Sequence, residues 1–302
     1  MQPTLVASNL TKTIAGKVIV DSLSFETFPG EVFGFLGPNG AGKTTTIRML
    51  VGLIRPTRGM VTICGHDVRR EFEKAMRCIG CMVETPDLYK FMTGRENLEH
   101  FSRMLGKVNR EQIEHVAGLV SLAHRLDHRV GTYSLGMRQR LGIAQALLGS
   151  PRVLILDEPA NGLDPAGIRE IRGLLRSLAS EGMSILVSSH LLAEIELMCD
   201  RVAIIHKGKM VTSGKVSDLI SSTRSLEIRV DDPTRAVDVA KSHGYSPSVD
   251  EDTLRFAIDE SLAPPLIAAL VENGVAVFHA TAELQTLEEM FIEATGGESV
   301  AT

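Results

Sequence analysis

Residues 37–44 read Gly-Pro-Asn-Gly-Ala-Gly-Lys-Thr, which fits the spacing G-x-x-x-x-G-K-[ST]. Glycines at 37, 40 and 42 let the backbone wrap closely around a phosphate chain with its N–H groups turned inward. The positive end of a following helix adds to that field. Contacts to a triphosphate are therefore expected from Gly37, Pro38, Asn39, Gly40, Ala41, Gly42, Lys43, Thr44 and Thr45, with Lys43 on the β/γ-phosphates and the Thr44 hydroxyl on Mg²⁺. A second pair of groups lies 113 residues beyond Thr44: Asp157 ends the aliphatic run Val153–Leu156, and Glu158 follows it. An Asp at the end of a buried strand beside a phosphate loop can hold Mg²⁺ through water. A carboxylate one residue further on can orient or deprotonate an attacking water. The loop alone specifies only a nucleoside triphosphate; the acids indicate what is done with it.

These groups need elements to hold them. Val32–Leu36 is a short apolar run that reads as a buried strand leading into the loop, and a helix from about Lys43 to Leu53 leaves it, closed by Arg55-Pro56. Upstream, Leu5–Ala7, Val18–Val20 and Leu23–Phe28 read as β-strands, with a turn at Pro29-Gly30. Ile79–Val83, Val153–Leu156, Ile185–Val187 and Val202–Ile205 are further strands, the last running into a Lys207-Gly208 turn. Helices are predicted over Ile168–Leu178 and Leu191–Met198. Aliphatic strands without polar alternation, alternating with helices, describe a parallel sheet covered on both faces.

From about Gly94 to Gly149 the pattern turns helical, with Asn97, Leu98, Phe101, Met104 and Leu105 on one face, and Pro151 ends it. This block reads as a helical subdomain inserted over about residues 85–150. Ser217–Ser225 reads as a linker closing a first domain at 221. Residues 222–302 then alternate strand and helix: Leu226–Val230, Pro233–His243, Leu254–Ile258, Pro264–Asn273, Val275–His279 and Leu284–Ala294. That order predicts a small C-terminal α+β domain, for which a ferredoxin-like arrangement is one form.

With 302 residues, 44% hydrophobic and 23% charged, the chain has the composition of a globular protein. Trp is absent and aromatic residues make up only 4%, which argues against a base-stacking single-strand binder. No apolar run approaches a bilayer-spanning length, and the N-terminus has no basic segment followed by an apolar one, so a cytoplasmic chain is expected. Residues 222–302 carry five Lys and Arg against fifteen Asp and Glu, a net of −10, which would repel nucleic acid. Cys78-Ile79-Gly80-Cys81 lies in a strand pattern with no second pair to complete a zinc site, so core packing is the expectation for both thiols.

Three further segments complete a pattern. Tyr133-Ser134-Leu135-Gly136-Met137-Arg138-Gln139-Arg140 is similar to the signature LSGGQ-x-Q-R; Asn161-Gly162-Leu163-Asp164 resembles a D-loop; His190 follows the strand Ile185–Val187. Ser134 is a good N-cap, and the helix after it offers free N–H groups to a phosphate. In this order the segments resemble the nucleotide-binding subunit of an ATP-binding cassette (ABC) transporter over about residues 4–215. The resemblance implies an α/β P-loop NTPase fold of RecA-like type, with an N-terminal antiparallel β region, the helical insert and a mostly parallel sheet. It implies an ATP hydrolase that uses Mg²⁺, with Glu158 activating water, His190 contacting the γ-phosphate, and Ser134, Gly136 and Asp164 meeting a nucleotide held by a second cassette, in a homodimer or a heterodimer. A separate integral-membrane permease subunit would anchor the protein at the inner face of the cell membrane.

Two positions depart from the family pattern. Ile14 stands where the family has an aromatic that stacks on adenine, and Glu84 stands at the place of a Gln that ligates Mg²⁺. Glu84 with Pro86-Asp87-Leu88-Tyr89 and Thr93-Gly94-Arg95-Glu96-Asn97-Leu98 resembles the branch of antibiotic and peptide self-immunity exporters, the bacitracin and lantibiotic type. Export of a drug or antimicrobial peptide, and hence antibiotic resistance, is the expectation. A non-transporting regulatory ATPase of the same superfamily and a phosphotransferase are the alternatives.

Overall fold

The computed structural model describes residues 2–106, 108–221, 224–258, 260–284 and 286–295. Within it the chain divides into two compact units, the first reaching Gly214 and the second spanning Lys215–Glu293.

The first unit opens with two long strands, β1 (Leu5–Ile14) and β2 (Lys17–Thr27), paired antiparallel. Next come β3 (Val32–Leu36), α1 (Lys43–Leu50), β4 (Arg58–Ile63), β5 (His66–Asp67), α2 (Phe72–Met76) and β6 (Ile79–Met82). The helical insert holds α3 (Gly94–Met104), α4 (Arg110–Leu119) and α5 (Leu135–Leu147). After the insert come β7 (Val153–Asp157), α6 (Pro165–Ser180), β8 (Ser184–Ser189), α7 (Leu192–Met198), β9 (Arg201–His206) and β10 (Lys209–Lys215).

These strands make two sheets. One has the order β2-β1-β4-β5, and its pairings are antiparallel; the other has the order β10-β9-β3-β8-β7-β6 and is parallel from β9 to β6. Every residue of β3, β7 and β8 is buried, as central strands covered on both faces require. The sheets meet through aromatic rings: Phe25 of β2 lies 5.5 Å from Phe33 and 5.2 Å from Phe35 of β3, centroid to centroid. Thr27 and Ser184 join them further with a hydroxyl–hydroxyl hydrogen bond of 2.8 Å.

The second unit contains α8 (Val216–Ser221), β11 (Arg224–Val230), α9 (Pro233–Ser242), β12 (Ser248–Asp250), β13 (Thr253–Ala257), α10 (Ala263–Glu272) and β14 (Val277–Leu284), and α11 (Leu287–Thr295) closes the described chain. From β11 the order is βαββαβ and the sheet order is β12-β13-β11-β14, which is the ferredoxin-like topology. Leu226, Ile228, Leu254, Phe256, Leu266 and Leu270 form its core.

Several sequence expectations are corrected. Helix α1 stops at Leu50, not Leu53, because Gly52 takes a left-handed φ of 71°. Part of the expected linker is helical: α8 covers Val216–Ser221, while Ser222 and Thr223 lie outside the described residues. The last strand is not Val275–His279 but Val277–Leu284, since its backbone stays in register with β11 as far as Leu284, and the final helix starts later. Of the two cysteines expected in the core, only Cys78 packs partly against it; Cys81 reaches the surface on the edge strand β6. Burial, then the neighbouring Cys78 thiol, push Cys64 up to about 11.

A close approach fixes the insert against the sheet. A Cβ on Gly80 of β6 would lie 2.2 Å from the Ala146 carbonyl oxygen of α5, so only a hydrogen fits there. Gly80→Ala is expected to cost about 1–3 kcal/mol of stability, read as a lower midpoint in urea unfolding.

Candidate active site

The site forms where β3, β7 and β8 end side by side. Their parallel pairing sets Leu36 against Ser189 and Asp157 against Ser188, so the chain leaves all three strands at the same edge of the sheet. The loop after β3 then turns back tightly. Gly40 and Gly42 have φ of 78° and 104°, and a Cβ on Gly37 would meet the Ile205 carbonyl oxygen at 2.3 Å. Helix α1 begins at the end of the loop with no side-chain cap and no acidic residue in its first turn, so no side chain takes up its leading amides or opposes its positive end. That combination fits a phosphate chain.

Lys43 is only 6% exposed. Its ammonium donates to the Gly37 carbonyl at 2.6 Å and the Pro38 carbonyl at 3.4 Å, and lies 3.2 Å from Glu158 Oε1. The other Glu158 oxygen, Oε2, is 2.8 Å from His190 Nδ1. Lysine, glutamate and histidine therefore form one chain of charge-assisted contacts across three strand ends. Asp157, 2% exposed, sits beneath it and accepts a 2.5 Å hydrogen bond from the Ser188 hydroxyl. An open cleft of about 570 Å³ faces this cluster, lined by Pro38, Asn39, Gly40, Gly42, Lys43, Thr44, Thr45, Glu158 and His190, together with Ile19 and Asn161. A hard cation fits the donor set, one buried carboxylate at Asp157 and a hydroxyl at Thr44, both oxygen ligands.

Two expected residues are not brought to this cleft. Ile14 ends β1 with 48% exposure and lines no part of it; Ile19 on β2 supplies the apolar wall instead. Glu84 has a left-handed φ of 66°, is 58% exposed, and pairs with Arg48 Nη2 at 2.5 Å, outside the cleft. Within the loop itself, Gly37 and Ala41 are buried and do not line the cleft.

Ser134, Gly136 and Asp164 form a separate surface. Ser134 is exposed and caps α5, accepting from the Met137 amide at 3.2 Å; Asp164 caps α6, accepting from the Gly167 amide at 3.1 Å. A Cβ on Gly136 would meet Leu163 at 3.6 Å, and one on Gly162 would meet Leu135 at 3.0 Å, so the two helix starts pack together.

Ile19, Asn161, Ser188 and Glu194 are the residues that the sequence reading did not place in the site. Burial raises the Glu194 carboxyl above the usual carboxylate range, against the pull of His190, and its Oε2 is buried without a partner. Glu194 lies in the first turn of α7, which begins two residues past His190, and no motif in the sequence marks it.

Comparison with known proteins agrees with this geometry. The family described as ABC transporter matches residues 20–161. The chain is 48% identical to the ABC transporter ATP-binding protein YhcH of Bacillus subtilis (strain 168), over 98% of this chain and 97% of that one. It is 41% identical to the bacitracin transport ATP-binding protein BcrA of Bacillus licheniformis, over 99% of this chain and all of the relative. Among solved structures, cbiO1 from Clostridium perfringens, part of the ABC transporter complex cbiONQ, superposes with a TM-score of 0.68 at 26% identity, covering 73% of this chain and 92% of that one. The chain belongs to the ATP-binding, ATP-hydrolysing subunits of the ABC transporter family.

Proposed function

We propose that this subunit hydrolyses ATP to power export of a drug or antimicrobial peptide through a separate membrane permease, as part of the bacitracin-type branch. The observation that carries the hydrolytic reading is the contact of Glu158 with both Lys43 and His190 at the mouth of the cleft. Full-length identity of 41% to a bacitracin transport ATP-binding protein supports the export reading. No helix among the described residues is long and apolar enough to cross a membrane, so under this reading the translocation path belongs to a partner at the inner face of the cell membrane.

In this reading the loop amides and Lys43 bind the triphosphate. Thr44 and Asp157 would hold Mg²⁺, which supplies charge neutralisation at the phosphates when bound. Glu158 takes the proton from a water whose oxygen bonds to the γ-phosphorus, and the bond to the β–γ bridging oxygen breaks to release ADP and phosphate. His190 holds the Glu158 carboxylate in place through Oε2. The exposed start of α5, Ser134 to Gly136, closes on the nucleotide of a second cassette, and Asp164 stands beside it.

Two experiments test the reading. Glu158→Gln is expected to bind ATP while hydrolysis falls about 10²- to 10⁴-fold, and to elute as an ATP-dependent dimer in size-exclusion chromatography; normal turnover removes Glu158 as the base. Ser134→Arg is expected to abolish hydrolysis while nucleotide binding to the single chain persists, measured by a fluorescent ATP analogue. Unimpaired hydrolysis by that variant rules out the facing-cassette arrangement.

A further inference from the structure

We propose that Ser188 is a positioning residue for hydrolysis, tying the metal-side carboxylate of Asp157 to the backbone of Glu158; this rests on the reading of Glu158 as the base. Ser188 is fully buried at the end of β8, directly opposite Asp157 in the parallel ladder. Its hydroxyl makes two bonds. It donates to Asp157 Oδ1 at 2.5 Å and accepts from the Glu158 amide at 3.0 Å. The direction is forced, because the Glu158 N–H can only donate and the single hydroxyl proton is left for the carboxylate.

Glu158 needs such a hold. It has a φ of 50°, a left-handed conformation that is costly for a residue with a side chain. Its amide has passed the end of the β7 ladder, and Ser188 gives it an acceptor. Two residues later His190 holds the carboxylate of the same glutamate at 2.8 Å. The end of β8 thus grips Glu158 twice, by main chain through Ser188 and by side chain through His190. Without the hydroxyl, a buried carboxylate oxygen and a buried N–H both lose their partner.

Ser188→Ala is the test, with Ser188→Thr as the variant that restores the hydroxyl. Ser188→Ala is expected to lower kcat for ATP by about tenfold to a hundredfold at unchanged KM, and Ser188→Thr to recover most of it. Hydrogen–deuterium exchange gives a readout independent of turnover: exchange over residues 157–161 should rise in Ser188→Ala while 153–156 stays protected. The proposal is overturned if Ser188→Ala turns over within twofold of the parent, if exchange over 157–161 does not change, if KM rises in step with the fall in kcat, or if Ser188→Thr is as slow as Ser188→Ala. Glu158→Gln in the same assay separates the two levels, since its normal turnover would sink the reading of Glu158 whatever Ser188 does.

Discussion

Everything in the site depends on the parallel hydrogen-bonded register of three neighbouring strands. With β3, β8 and β7 paired as Leu36 to Ser189 and Ser188 to Asp157, the phosphate loop, the two acids and His190 must emerge together. A slip of one residue in any strand would turn Asp157 or Ser188 to the opposite face and separate Lys43 from Glu158. The largely apolar interiors of these strands, with Ser188 as an exception, hold that register, because each is buried on both faces. Phe25, Phe33 and Phe35 then lock the antiparallel sheet onto the same core, which brings Ile19 of β2 to the cleft wall.

The electrostatics follow from that placement. Lys43 is nearly removed from water, and its charge is met by two loop carbonyls and by Glu158. Asp157 is buried more deeply and is met by a hydroxyl. Lys43 and Asp157 therefore each have a partner built by the chain, and helix α1 begins beside the cleft with no acid in its first turn. An anion entering there meets a field already arranged for it.

Much of this was legible from residue order. The glycine spacing of 37, 40 and 42 announced the loop, the aliphatic run before Asp157 announced a central strand, and Ser134 announced a helix cap that the structure contains. Positions that depend on where a loop turns were not legible. Glu84 lies past the end of β6 with a left-handed backbone, and its ion pair with Arg48 comes from α1, 36 residues earlier. Ile14 is carried to an exposed strand end because β1 and β2 run longer than their alternating cores suggest. Short pairings such as β5 and β12, two and three residues long, leave no periodicity to read. Ser188 is a small polar residue inside an apolar strand, and only its register opposite Asp157 gives it meaning.

The packing of Leu135 against Gly162 and of Gly136 against Leu163 joins the caps of α5 and α6 into one corner. Of the two approaches, the one at Gly162 is the tight one. The corner is therefore unevenly tolerant: a methyl at 136 would rest in ordinary contact with Leu163, whereas one at 162 would crowd Leu135 at 3.0 Å on a left-handed backbone, so a change at Gly162 would be felt at the start of α5.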